Sequence, residues 1–155
     1  MIGNDIVDLH QADADSNWRR KGYLQKVFSR EEQQLILSAS NPCQMVWLLW
    51  SMKEAVYKIH SRRKNWHVFA PVKLVCTEVK LHGTCATGVV VCQRLKYFTQ
   101  SAVNPEFIHT MAGESFPLEA ARIDISCYDP SDESYRNTAP ATVSHHGRYL
   151  ALAYL

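Results

Sequence analysis

Three charged side chains interrupt an otherwise apolar stretch, residues 47–58, which contains two tryptophans and no helix breaker. At helical spacing Trp50, Glu54 and Lys58 fall on one face, because residues four positions apart stack above one another. A carboxylate and an ammonium beside tryptophan are costly to bury unless each finds a partner. The pattern therefore indicates either a surface Glu–Lys pair, which adds roughly a few tenths of a kcal/mol, or a functional site.

A second acidic position stands out near the N-terminus. Asp5 lies in residues 2–9, a run rich in isoleucine and valine that predicts a β-strand. Aspartate is depleted in strands, so two interpretations of Asp5 stay open: a strand-end residue that bonds the local backbone, or a metal ligand at the mouth of a sheet. Asp8 is either a solvent-exposed turn residue or a third acid near the metal.

Helices that would position these residues are predicted in the first part of the chain. The first is expected to start within residues 13–16 and to continue to residue 27. A second opens at Ser29, where the sequence Ser-Arg-Glu-Glu forms a capping box. The third, with Asn41 as N-cap and Pro42 at its first position, carries the apolar stretch and runs to about residue 60.

The rest of the chain changes to strand-like runs, at residues 72–81, 84–93, 106–111, 122–128 and 141–155. His82 and Gly83 are a turn signal that predicts a hairpin from the first two runs. The polar residues 129–134 predict a loop. Helices first and strands afterwards favour one α+β domain over residues 1–155, with helices packed on a mostly antiparallel sheet.

The composition is that of an ordinary soluble globular protein. The 155 residues are 46% hydrophobic and 21% charged, with a formal net charge of +2, which is too small to argue for nucleic acid. No apolar run approaches the ~20 residues that span a bilayer, and the N-terminus lacks a secretory signal pattern. Five cysteines without a CxxC pair favour reduced thiols in a cytoplasmic protein. We therefore expect neither nucleic acid nor a membrane as a partner.

Three motifs occur in a familiar order: G-N-D-I-V-D at residues 3–8, W-S-M-K-E-A-V-Y-K at residues 50–58 and S-H-H-G-R-Y-L-A at residues 144–151. Together they resemble the 4'-phosphopantetheinyl transferase superfamily, whose patterns read roughly G-x-D-(I/V), (F/W)-x-x-K-E-A-x-x-K and S-x-S-H-x-x-x-Y-A. The resemblance is closest to the short, holo-acyl-carrier-protein-synthase type, because the G-x-D motif lies at the N-terminus and the unit occurs once. Residues 65–140 carry no motif of the family.

The resemblance implies a transferase that moves the 4'-phosphopantetheine arm of coenzyme A onto a serine of an acyl or peptidyl carrier protein, releasing adenosine 3',5'-bisphosphate. By resemblance Asp5 and Glu54 bind Mg²⁺ beside the pyrophosphate. Glu54, directly or through a water, is the candidate base for the carrier serine. Lys58 would stabilise developing charge on a phosphate oxygen, and Ser144 and His145 match the element that contacts the nucleotide part of coenzyme A.

Basic residues that follow the first strand are the expected docking site for the carrier protein, which is acidic as a class. They are Arg19, Arg20, Lys21 and Lys26. Charge complementarity there would speed the encounter and set the orientation. Members of the short type are commonly trimers with sites between subunits, so we expect a homo-oligomer, with a trimer as the form that the resemblance suggests.

Other residues receive less weight, and two other functions stay open. Lys53 points about 100° away from Glu54 around the helix, and His146 has no motif support. The remaining histidines have no metal-ligand spacing; they are His10, His60, His67, His82 and His109. The alternatives are a non-catalytic module that binds coenzyme A or a carrier protein, and another Mg²⁺-dependent phosphate enzyme. Fatty-acid, polyketide and peptide synthesis all stay open as pathways.

Overall fold

A computed structural model describes residues 1–64, 68–115, 118 and 121–155. The helices are α1 (Leu9–Asp15), α2 (Tyr23–Val27), α3 (Arg30–Ser38) and α4 (Pro42–Lys64), with 3-10 turns at Pro71–Lys73 and Ser134–Thr138. The strands are β1 (Ile2–Asp8), β2 (Val75–His82), β3 (Cys85–Cys92), β4 (Leu95–Val103), β5 (Phe107–Gly113), β6 (Arg122–Cys127), β7 (Thr142–His146) and β8 (Tyr149–Tyr154). All strand pairs found in these ranges are antiparallel, which confirms the expected α+β class.

Two sheets meet at the N-terminal strand. The five-stranded sheet has the order β1-β5-β4-β3-β2, and the three-stranded sheet has the order β6-β8-β7. Helix α4 packs mainly against β1 and β5 on one face of the larger sheet, while β7 and β8 pack beside β1. As a result, the three segments that carry the motifs converge around one strand.

The capping residues that the sequence predicts are observed at both central helices. The Ser29 hydroxyl accepts a hydrogen bond from the Glu32 backbone N–H (3.2 Å), and the Glu32 carboxylate accepts one from the Ser29 N–H (2.7 Å). The Asn41 side chain accepts a bond from the Gln44 N–H (3.1 Å) just before α4. Arg62, the first residue of a basic run, lies in the last turn of α4, where positive charge complements the helix dipole.

Glycine at position 3 allows β1 and α4 to approach closely. A Cβ atom there would overlap the Ala55 carbonyl oxygen and press on the Ile59 side chain. We expect Gly3→Ala to cost about 3 kcal/mol or more of stability, since the strand and helix must separate. Urea unfolding followed by circular dichroism measures the change.

The matched control for this prediction is a second strand glycine that faces the same helix. A Cβ atom on Gly88 would meet the flexible Met52 side chain and the Thr99 hydroxyl at 3.4 Å, which is ordinary contact. Gly88→Ala should therefore change stability by less than about 1 kcal/mol. Equal losses in Gly3→Ala and Gly88→Ala would contradict the close-approach argument.

Three sequence predictions of secondary structure are wrong. The expected first helix has the wrong bounds: α1 ends at Asp15, where that helix was expected to start, and the chain is helical again only in α2, after Gly22 with φ +87°. Strand β4 was not expected, since its buried face includes the polar Thr99 and Ser101. The single expected run 141–155 is split into β7 and β8 by a turn at Gly147, which has φ +53°. The predicted β2–β3 hairpin at His82 is confirmed.

Candidate active site

A cleft of about 680 Å³ opens where β1, α4 and β7 converge. Its lining includes all five residues for which the sequence analysis expects a metal-binding, catalytic or nucleotide-binding role: Asp5, Glu54, Lys58, Ser144 and His145. These residues come from three elements that are distant along the chain. The folded structure thus brings the predicted residues together within one chain, while their roles stay predictions.

One carboxylate oxygen of Asp5 contacts neighbouring side chains, and the other has no hydrogen-bond partner among the described residues. The Ser144 hydroxyl donates to Asp5 Oδ1 at 3.0 Å, and the Lys58 ammonium lies 3.9 Å from the same oxygen. Asp5 Oδ2 is buried and has no hydrogen-bond partner within the described residues. Burial raises the pKa of the Asp5 carboxyl, and the Lys58 charge and the Ser144 hydrogen bond offset part of that rise.

Glu54 lies half-buried in the same cleft. Burial and, to a lesser extent, the negative charge of Asp5 raise the pKa of the Glu54 carboxyl, Lys58 opposes both effects, and the resulting pKa is about 7. Two carboxylates that repel each other in a partly desolvated cleft favour a proton or a cation between them. At neutral pH Glu54 is therefore poised either to exchange a proton or to take a cation.

Lys58 connects β1 to β7. Its ammonium donates to the backbone carbonyls of Asn4 (2.6 Å) and Val143 (3.1 Å). Since an ammonium has three donors, one remains for Asp5 or for a ligand in the cleft. Burial lowers the pKa of Lys58, and the charges of Asp5 and Glu54 counteract the shift.

Side chains of β7 satisfy the outer edge of β1, which pairs with β5 on its other side. The Ser144 hydroxyl accepts a hydrogen bond from the Ile6 N–H at 3.1 Å, and His146 Nδ1 accepts one from the Asp8 N–H at 3.0 Å. Ser144 and His146 are two residues apart, so strand alternation places them on one face. The Ser144 hydroxyl, which is held by β1, therefore positions Asp5, and the nucleotide contact expected for Ser144 stays a prediction.

His145 faces the other side of β7. Its ring is exposed and stacks on Tyr128, with ring centroids 4.2 Å apart and planes 13° apart. The pair forms a flat aromatic surface at the edge of the cleft, of the kind on which a nucleobase can stack.

The comparisons with known proteins agree with the motifs. The profile of the 4'-phosphopantetheinyl transferase superfamily matches residues 1–100, most of the chain. The chain belongs to this superfamily. The holo-[acyl-carrier-protein] synthase (AcpS) of Thermotoga maritima has a similar fold, with a TM-score of 0.52 and 13% identity over 99% of this chain and 83% of that one. A comparison with curated protein sequences found no match.

Membership of the phosphopantetheinyl transferase superfamily confirms the resemblance that the motifs indicated. It indicates phosphopantetheinyl transfer to carrier proteins, with coenzyme A as the donor substrate. The solved AcpS structure supports the fold alone at this identity. The described part of the chain contains no helix that is long and apolar enough to cross a membrane.

The lysine of the family's K-E motif is buried away from the cleft. The Lys53 ammonium donates to the Val27 and Pro71 carbonyls, each at 2.9 Å, and to Glu32 Oε2 at 2.8 Å. The other Glu32 oxygen accepts a hydrogen bond from the Cys76 N–H at 2.7 Å. Lys53 thus ties α4 to the capping box of α3 and to the segment before β2.

The interpretation of Asp8 as a solvent-exposed turn residue is wrong, and its role as a third acid near the metal stays a prediction for a residue that is not part of the cleft lining. The side chain is buried, caps α1 through the His10 and Gln11 N–H groups, and pairs with the Arg148 guanidinium at 2.9 Å. Its hydrogen bonds with Arg148 hold the pKa of the Asp8 carboxyl well below its usual range. Asp8 therefore links β1, α1 and the β7–β8 turn.

The four basic residues proposed for carrier docking are all exposed. The Arg19 guanidinium lies over the Trp18 ring at 4.2 Å, and the Arg20 guanidinium lies 5.5 Å from the Tyr23 ring centroid. Tyr23 also lines the cleft. Arg20 therefore lies next to a residue that lines the candidate active site.

Several residues of the cleft were not predicted from the sequence. Trp47 lies seven positions before Glu54 and shares its helical face, so the helical period could have identified it. His146 shares a strand face with Ser144, so strand alternation could have identified it. Tyr23 has no comparable signal, since its position depends on how α2 packs.

The remaining histidines are consistent with ordinary roles where the structure describes them. His60 contacts the Tyr97 hydroxyl at 2.8 Å. Burial, with a smaller effect of the Lys58 charge, lowers the pKa of His109 to about 4. His67 lies outside the described residues. Within those residues, no group of three or more histidine, cysteine, aspartate and glutamate side chains could hold a metal ion.

Proposed function

We propose that this protein transfers the 4'-phosphopantetheine arm of coenzyme A to a serine of an acyl or peptidyl carrier protein, as a Mg²⁺-dependent enzyme of the holo-acyl-carrier-protein-synthase type. One observation carries the proposal: Asp5, Glu54 and Lys58 line a single cleft in a member of this superfamily. Phosphoryl-type transfer relies on charge neutralisation and positioning. The ammonium can neutralise charge on a phosphate oxygen, and the two carboxylates can hold a cation that would neutralise more.

The carboxylates fit Mg²⁺. Asp5 Oδ2 is buried without a partner in the part of the chain that the structure describes, and the neighbouring Glu54 has a pKa raised to about 7. Mg²⁺ is usually bound by one or two carboxylates together with phosphate oxygens and water, so a pair without a third protein ligand suffices. When bound, the ion would supply charge neutralisation at the pyrophosphate and acidify the nucleophile.

The side chains have distinct roles in this proposal. Glu54 accepts the proton of the carrier serine, directly or through a water. Lys58 holds a phosphate oxygen with its remaining donor. Ser144 orients Asp5, and His145 with Tyr128 meets the nucleotide part of coenzyme A. Adenosine 3',5'-bisphosphate then leaves with the electron pair of the broken P–O bond.

Mass spectrometry of a carrier protein tests the proposal. The protein is mixed with coenzyme A, Mg²⁺ and apo carrier protein, and the carrier is weighed. A carrier that gains one phosphopantetheine arm supports transfer. An unchanged carrier with bound coenzyme A supports a binding module, and coenzyme A degraded without carrier supports a hydrolase.

Metal binding should weaken as the pH falls through 7. Glu54, with a pKa of about 7, must lose its proton to bind a cation, and metal binding releases protons from such ligands. Between pH 8 and pH 6 we expect the affinity for Mg²⁺ or Mn²⁺ to fall about tenfold. Calorimetry in two buffers with different ionisation enthalpies measures the protons released. Glu54→Gln should release fewer protons than wild type on binding the metal. Equal proton release by the two proteins would contradict the assignment of Glu54 as a metal ligand.

Charge reversal at Arg19 and Arg20 should raise the KM for carrier protein about tenfold and leave the KM for coenzyme A within about twofold. The reason is that both residues are exposed and Arg20 lies against Tyr23, which lines the cleft. The control is Lys80→Glu/Lys96→Glu, which makes the same charge change at exposed positions on β2 and β4. A KM for carrier that stays constant in the first variant would remove the docking assignment.

The location of the protein, its oligomeric state and the pathway of its carrier are further parts of this proposal. We propose a cytoplasmic homo-oligomer, with a trimer as the first form to test by light scattering. The carrier protein can belong to fatty-acid, polyketide or peptide synthesis, and activity against one apo carrier of each class separates them.

A further inference from the structure

His146 is held in one orientation by the backbone of β1. Its Nδ1 accepts a hydrogen bond from the Asp8 N–H at 3.0 Å. A backbone N–H can only donate, so Nδ1 carries no proton in this arrangement. The proton of the ring is therefore on Nε2, and a backbone contact fixes the tautomer.

The other nitrogen of this ring is available to the cleft. His146 is half-buried and lines the cleft together with Asp5 and Lys58. The Nε2 atom makes no hydrogen bond to any residue in the described ranges. The ring is also near enough to Asp5 that positive charge on it would lower the pKa of that carboxyl.

We propose that the Nε2–H of His146 donates a hydrogen bond to a phosphate oxygen of the ligand in this cleft. This inference rests on the proposed function, which supplies a pyrophosphate and a 3'-phosphate as acceptors. A donor whose orientation is already fixed loses little entropy when it binds an anion. His146 thus joins Lys58 as a phosphate-binding residue, although no motif selects it.

If His146 has only a structural role, its ring still accepts the hydrogen bond from the Asp8 N–H but binds no ligand. In that case the ring only satisfies one N–H on the outer edge of β1, as Ser144 does for Ile6. The two roles depend on different nitrogens of the ring. An asparagine amide reaches the Nδ1 position, whereas a glutamine amide reaches the Nε2 position, so the two replacements separate the roles.

The first experiment is NMR of the imidazole nitrogens of His146, with inorganic pyrophosphate as probe, with and without Mg²⁺. We expect Nε2 to be the protonated nitrogen in the free protein and its resonance to move on titration. A ring protonated on Nδ1, or a resonance that pyrophosphate leaves in place, would overturn the inference. Because pyrophosphate is not coenzyme A, the inference can hold where the proposed function fails.

The second experiment compares His146→Asn and His146→Gln by calorimetry with pyrophosphate and with coenzyme A. His146→Asn should lose about tenfold in affinity for both, and His146→Gln should stay within about threefold. The melting temperature should change in the opposite order, because only asparagine can still accept from Asp8. His82→Asn, at the exposed end of β2, is the control.

The outcomes of the second experiment are separable. If His146→Gln has both the lower melting temperature and the weaker affinity of the two variants, the ring of His146 is only structural. Wild-type protein that binds pyrophosphate with the expected variant order but not coenzyme A would overturn the proposed function and support the inference. Wild-type protein that binds neither probe would overturn both.

Discussion

Replacing Glu54 with glutamine should lower kcat/KM for phosphopantetheine transfer by about 10²–10⁴-fold. Glutamine keeps the size of the side chain but can neither accept the proton of the carrier serine nor bind a cation as a carboxylate does. The assay is the mass increase of an apo carrier protein. Glu31→Gln, at an exposed position in the first turn of α3, is the control and should leave kcat/KM within about twofold.

The same substitution should make the metal-free protein more stable at alkaline pH. The pKa of Glu54 in the fold is about 7, above the unfolded value of ~4.3, so the folded state binds the proton more tightly. The contribution of Glu54 to the stability of the wild-type protein is therefore most favourable below about pH 4, falls between about pH 4 and pH 7, and levels off above that range. The loss at pH 8 is about 2 kcal/mol, because each pKa unit corresponds to about 1.4 kcal/mol and partial exposure reduces the effect.

Urea unfolding in the presence of a chelator measures this difference. Glu54→Gln should unfold at a higher urea concentration than wild type at pH 8 and at the same concentration at pH 4. If Glu54→Gln keeps full transfer activity, Glu54 is not the base or metal ligand. If Glu54→Gln is no more stable than wild type at pH 8, the raised pKa of Glu54 does not destabilise the folded protein.

Replacing Lys53 with methionine should cost about 3–5 kcal/mol of unfolding free energy. The Lys53 ammonium is fully buried and its salt bridge with Glu32 is 2.8 Å long. Methionine leaves the Glu32 carboxylate buried without its cation, although the Ser29 and Cys76 N–H groups still donate to it. Chemical denaturation monitored by tryptophan fluorescence gives the free energy.

A second substitution shows whether an uncompensated charge causes the loss. Glu32→Gln in the Lys53→Met background removes the buried charge and keeps an oxygen that can accept the capping hydrogen bond. The double variant should recover about 1–3 kcal/mol relative to Lys53→Met alone. The double variant should also retain most of its activity at low temperature, because Lys53 does not line the cleft. A double variant less stable than Lys53→Met would contradict this account.

The sequence alone was sufficient where the determining interactions are local. The capping box at Ser29 and the N-cap at Asn41 each depend on residues three positions away, so both could be predicted. The helical period placed Glu54 and Lys58 on one face of α4 in the same way. The motifs, taken in order, selected the superfamily that the profile match confirms.

Strand β4 could not be predicted because tertiary contacts decide it. The inward hydroxyls of Thr99 and Ser101 bond to the Gly88 carbonyl (3.0 Å) and the Thr110 hydroxyl (2.8 Å). Polar residues in a buried strand face are stable only when such partners exist. The periodic pattern of hydrophobic residues is therefore missing from a strand that is nevertheless central to its sheet.

The roles of Lys53 and His146 were decided only by the tertiary structure. The family pattern treats Lys53 and Lys58 alike, yet one is buried against the capping box of α3 and the other opens to the cleft. His146 becomes part of the site because its ring meets the Asp8 N–H, more than 130 residues earlier in the chain. Sequence determined which residue types are present and their local spacing, whereas hydrogen bonds between distant segments determined which of them face the cleft.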